Sequence, residues 1–270
     1  MASFAGNTLP ARLKKEKYLL MADVLRDKNQ HKEAEKILSS LDDDGEIATL
    51  KRYAQYNLGI ALLRDGLKNS QSFQGIDILK KISAEYFDGS ESRTLQDKAN
   101  LALGYTYLHY GEMGSAIEYF EKIRIAGLFS SRALLGLGLA EAALGRHKRA
   151  LIPWLELDEG DIIEVEVGEA ALLVPEALFK LESYKKSENA YQHAISRYSS
   201  EIEAVSAAIT ALRASETISS GLAARGKEGG WPDNVSKTQS IGLDARYFSW
   251  LIRKDADFRQ AIALYQEADE

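Results

Sequence analysis

Leu103-Gly104, Gly111, Ala116 and Phe120 are answered, 34 residues on in each case, by Leu137-Gly138, Gly145, Ala150 and Trp154. A fixed period of this length marks a helix–turn–helix unit that stacks on its neighbours. Glycine in a helix interior costs roughly 1 kcal/mol against alanine. Gly104 and Gly138 therefore imply a second helix lying so close that a side chain would obstruct it. Ala116 and Ala150 open that second helix and are small for the same reason. Phe120 and Trp154, four residues further along the same helical face, are large and fill the space between successive pairs. Gly111 and Gly145 end the first helix, where a left-handed residue is usually needed.

The pattern extends outward in both directions. Residues 11–41 read as a first pair, with Tyr18, Met21, Ala22 and Leu25 on one face, Ala34, Leu38 and Leu41 on another, and Asn29 at the turn. Residues 47–87 form a second pair, in which Leu58, Gly59 and Gly66 repeat the pattern, Leu79 is the large residue and Lys68 to Gln74 reads as a lengthened turn. The regular pairs occupy 97–130 and 131–157, where Pro153 is expected to kink or shorten its helix. A fifth pair spans 165–199; Pro175 stands where Gly104 and Gly138 stand, which implies a broken or bent helix. One longer helix follows over 201–225, then a loop over 226–240 with three glycines and Pro232. Residues 241–270 form a last pair of the same solenoid, with Ala261 and Tyr265 in the small-then-large spacing. The expected fold is all-α: a solenoid of antiparallel helix pairs, about six of them plus the longer helix.

The set of small residues at Gly104 and Ala116, the large Phe120 and the turn glycine resembles the tetratricopeptide repeat signature. That resemblance implies a right-handed superhelix whose first helices line a concave face. Four stretches, Tyr56-Asn-Leu-Gly-Ile-Ala-Leu, Asp97-Lys-Ala-Asn-Leu-Ala-Leu-Gly-Tyr, Ser131-Arg-Ala-Leu-Leu-Gly and Ala150-Leu-Ile-Pro-Trp, are similar to a group of exported bacterial tetratricopeptide proteins without an established activity. The similarity covers most of residues 10–265. It implies a periplasmic scaffold truncated at the amino end, and it brings no functional residue; a cytoplasmic setting stays open.

Composition narrows the chemistry. The 270 residues carry a net charge of −6, which argues against a nucleic-acid backbone as partner. No apolar run approaches the 18 residues of a membrane span, and no secretion signal is visible at the start. Cysteine is absent, so disulfides, thiolate metal sites and a cysteine nucleophile are excluded. His31, His109, His147 and His193 include no pair three or four apart, so metal ligation is not expected. Gly136-Leu137-Gly138 lacks the third glycine and the preceding strand of a dinucleotide fingerprint. The acids from Asp158 to Asp161, with Glu164 and Glu166, lack the spacing of a calcium loop. No catalytic residue, cofactor site or metal site is expected.

What remains is surface. The aligned first helices place Tyr53, Tyr56, Ile60 and Leu63 from the second pair on the concave face. The third pair adds Lys98, Leu101, Tyr105, Leu108 and His109, and the fourth Arg132, Leu135, Leu139 and Ala142. This apolar and aromatic stripe, with sparse positive charge at Lys98 and Arg132, fits a hydrophobic or helical segment of a partner polypeptide. Two other readings stay open. The stripe is filled by the protein's own packing, or the chain is a structural component that self-associates or organises an envelope complex through its convex face or ends.

Overall fold

A computed structural model describes residues 11–42, 45–69, 72–85 and 89–213. Among the described residues there are ten helices and no strand. They run as consecutive pairs: α1 (Ala11–Asp27) with α2 (His31–Ser40), α3 (Gly45–Asn69) with α4 (Ser72–Ala84), α5 (Ser90–His109) with α6 (Met113–Glu121), α7 (Ser130–Ala143) with α8 (His147–Asp158), and α9 (Val165–Lys180) with the opening of α10 (Tyr184–Arg213). The first helices α1, α3, α5, α7 and α9 each touch the next, and α4, α6 and α8 pack against the first helix of the following pair. The described fold is an all-α solenoid with its core strung along the stack.

The small-then-large spacing does its work inside that core. Ala34, Ala116 and Ala150 are fully buried, as are Leu38, Leu79, Phe120 and Trp154 beside them. A Cβ placed on Gly104 would stand 2.6 Å from the Phe120 ring, and one on Gly138 would stand 2.2 Å from the Trp154 indole nitrogen. A Cβ on Gly136, two residues before Gly138, would meet the same Phe120 ring from the next pair, at 2.3 Å. Phe120 is thus gripped by glycines of two successive pairs. The Trp154 indole N–H donates to the Leu135 carbonyl at 3.3 Å, so its polar edge is satisfied inside the core.

Turns follow the expected chemistry with one surprise. Gly111 and Gly145 have φ of 79° and 71°, and Asn29 has 59°. The equivalent place in the fifth pair is taken by Glu182, with φ of 58°, where any Cβ is disfavoured. Buried polar groups tie connectors down. Asp97, almost fully buried, accepts from the Arg124 guanidinium at 2.8 Å and 2.7 Å and so holds the segment between α6 and α7 against α5. Ser83 donates to Asn100, and Gln96 donates to the Ser83 carbonyl at 2.7 Å, which fastens the end of α4 to α5.

Several boundaries differ from expectation. Lys68 and Asn69 extend α3, and Phe73 and Gln74 lie in α4, so the insertion lengthens helices rather than a turn. Gly66 is accordingly a buried residue within α3, not a terminator. α5 begins at Ser90, ahead of the expected 97. α8 continues through Pro153 to Asp158, held between α7 and α9. α9 continues through the buried Pro175, whose carbonyl accepts the Ser187 hydroxyl at 2.8 Å. α10 runs unbroken across 199–201, where one helix was expected to end and another to begin; no glycine or proline interrupts it, and serines alone are weak breakers. The expected stretch 214–225, the loop 226–240 and the pair 241–270 lie outside the described residues.

The chain divides into two compact units, Met1–Glu188 and Asn189–Glu270. The first holds α1 to α9 and the first turn of α10. The described part of the second is the remainder of α10, in which Ala194 and Ala208 are buried.

Candidate partner-binding face

The first helices α3, α5, α7 and α9 lie side by side in the first unit, so side chains at matching positions form a row across them. The residues of the expected stripe come from these helices, and several of them join one pair to the next. The Tyr53 hydroxyl bonds Glu91 at the start of α5. The Lys98 ammonium sits 5.9 Å from the Tyr53 ring and 6.0 Å from the Phe129 ring, within cation–π range. The Tyr105 hydroxyl donates to the Arg132 carbonyl at 2.9 Å, and its ring meets Phe120 edge-on at 5.1 Å. Arg132 in turn donates to the Glu166 carboxylate at 3.0 Å.

These ties set the electrostatics. Burial pushes the Tyr105 phenol up to about 12, with the Glu166 and Glu169 charges adding to it. Burial likewise raises Tyr56. The positive charge expected at Arg132 is met by Glu166, and that of Lys98 lies between two rings, so the row is not a basic surface.

Burial sorts the expected contact residues. Leu63 and Leu135 are buried and belong to the core, which corrects their placement on an open face. Tyr56, Ile60, Leu101 and Leu108 are half-buried against the core of their own pairs. His109 and Arg132 are exposed, and His109 lies edge-on to Tyr110 at 5.5 Å. Leu139 and Ala142 are half-buried and open onto a hollow of about 200 Å³. Leu173 and Ala177 of α9 and Trp154 of α8 complete its apolar wall, and His147, Glu176 and Lys180 stand around it.

Sequence reasoning missed the α9 side of this hollow. The register was not the obstacle, since Pro175 was already set opposite Gly138, 37 residues on, just as Glu182 follows Gly145 by 37. The expected row was drawn from α3, α5 and α7 and stopped before α9. Glu166 was visible as the partner of Arg132 only through its charge, 34 residues away. Among the described residues no cluster of three metal-ligating side chains occurs. His31 bonds Asp65 at 2.8 Å instead, linking the first two pairs. No described helix is long and apolar enough to cross a membrane.

No family model matches the chain, and no curated protein is detectably similar to it in sequence. Among solved structures, MamA MSR-1 C2 superposes with a TM-score of 0.48 at 17% identity, covering 70% of this chain and 99% of that one. A Podosopora anserina protein assigned as a kinesin light chain, with nearly identical TPR-like repeats, gives 0.44 at 12% identity, covering 72% and 99%. Scores at this level do not carry an argument, so the architecture rests on the helix pairs themselves. Those pairs, with a small residue on the first helix against a large one on the second, make the described residues an all-α repeat of stacked helix pairs.

Proposed function

We propose that the first-helix face binds a partner polypeptide without catalysis, and that the hollow between α7, α8 and α9 seats one of the partner's apolar side chains. The observation that carries this reading is the hollow itself. Leu139, Ala142, Trp154, Leu173 and Ala177 give it apolar walls, while His147, Glu176 and Lys180 supply polar groups nearby. Apolar concavities with a few convergent polar groups are the usual form of a binding site, and an anchor side chain in such a pocket typically dominates a peptide interface. The half-buried remainder of the row stiffens the platform.

The test uses site-specific photo-crosslinking in the native host. A benzophenone side chain at Leu139 or Leu173 is expected to trap the same polypeptide, and one at Ile152, exposed on α8, is expected not to. Leu173→Glu should then abolish capture while helical content stays unchanged. Capture from Ile152 alone would overturn the reading. A periplasmic setting is part of the same proposal, and fractionation of the host's compartments tests it separately.

A further inference from the structure

The hollow between α7, α8 and α9 opens where first helices turn into second ones: Ala142 stands at the end of α7, His147 at the start of α8 and Lys180 at the end of α9. Charge at this mouth runs against the rest of the molecule. Arg146-His147-Lys148-Arg149 is the sequence's only run of four basic side chains. Glu141, buried near the end of α7, is the acid paired with them, at 3.5 Å from Arg146 and 3.7 Å from Arg149. One carboxylate thus answers two guanidinium groups. Lys148 and Lys180 are exposed and make no ion pair among the described residues. Glu176 brings the mouth a second acid. Arg146, Lys148, Arg149 and Lys180 against Glu141 and Glu176 leave a surplus of two positive charges, in a chain whose net charge is −6.

The basic run does not serve α8 itself. The opening of a helix favours acids, yet α8 has none in its first turn and no side-chain cap. A local rule broken in this way is a mark of a functional site. Resting on the seat proposed above, we propose that the polypeptide entering it is acidic: its apolar side chain fills the hollow, and Asp or Glu residues within a turn of that side chain lie over Arg146, Lys148, Arg149 and Lys180. Carboxylates bond such groups by charge-assisted hydrogen bonds, and complementary charge beside an apolar anchor chooses among partners. A basic segment is repelled by the same surplus. The other end of α8 carries Asp158, Glu159 and Asp161, so an acidic segment is turned toward the mouth and away from that end. These cations lie outside the expected stripe, whose Lys98 and Arg132 are already engaged.

The experiment is selection of a random peptide library on the immobilised full chain, followed by fluorescence anisotropy of the enriched peptides. They are expected to carry an apolar residue with acids within a helical turn of it, and to bind more weakly as salt rises. Lys148→Glu/Lys180→Glu should raise their dissociation constants by more than about tenfold with the far-ultraviolet circular dichroism unchanged. Lys148→Arg/Lys180→Arg, which keeps the charge, should bind as the wild type does. Leu173→Gln, which spoils the hollow without adding charge, should release every enriched peptide. Enriched peptides that are neutral or basic, and that Leu173→Gln releases, would overturn the acidic preference and leave the seat standing. Acidic peptides indifferent to Lys148→Glu/Lys180→Glu would overturn it as well. A selection that enriches no peptide, or only peptides that Leu173→Gln still binds, removes the seat and the acidic preference together.

Discussion

The pair α3/α4 and the pairs α5/α6 and α7/α8 bring their helices together by different means. In the later pairs a glycine on the first helix accepts a flat ring from the second: Phe120 on Gly104, Trp154 on Gly138. In α3/α4 the close approach is of backbone to backbone. A Cβ on Gly75 would stand 2.7 Å from the Gly59 carbonyl oxygen and 2.9 Å from the Leu63 nitrogen. Leu79, the large residue there, stays 3.1 Å from a Cβ built on Gly59. The same small-and-large code therefore supports two crossings, one governed by a ring and one by the main chain.

Substitutions should separate the two. Gly136→Leu is expected to have the largest effect, at the upper end of the ~1–3 kcal/mol typical of overpacking, because Phe120 is already held against Gly104. Thermal melting by circular dichroism reads it. Adding Phe120→Leu should recover part of the loss, and absence of any recovery would show that the ring is not the obstacle. Gly75→Ala should cost about 2 kcal/mol. Here trimming Leu63 to alanine should give no rescue, since the clash is with backbone atoms; a rescue would erase the distinction between the crossings.

Two smaller effects sharpen the comparison. Glu182→Gly should stabilise by about 1 kcal/mol, by removing the Cβ from a left-handed position that Gly111 and Gly145 fill without one in their own pairs. A higher denaturant midpoint with unchanged slope is the expected readout. Gly59→Ala should be nearly neutral, within about 0.5 kcal/mol, as the gain in helix propensity offsets a small displacement of the Leu79 side chain. A large loss at Gly59 would mean that Leu79 is as immobile as the rings.

The code at Gly104, Ala116 and Phe120 was enough to give the helix pairs, because close packing leaves few residue types for those positions. Its failures have a common physical origin. Pro153 read as a kink or a shortening and Pro175 as a break or a bend, yet α8 and α9 each run on past their proline, packed against neighbouring helices. Gly66 read as a turn, but the residues inserted after it were absorbed by helix. The binding face was legible only in outline. Periodicity locates a row of side chains, but it does not say that Tyr105 would bond Arg132 or that Leu63 and Leu135 would be covered. The hollow was hidden because its far wall comes from α9, and the expected row was drawn from α3, α5 and α7 alone.

Phe120 has a mechanical consequence. A ring clasped by neighbouring units cannot be released from one without loosening its fit to the other. Under tension applied from the two ends, α5 through α8 should give way in one step and not as separate hairpins.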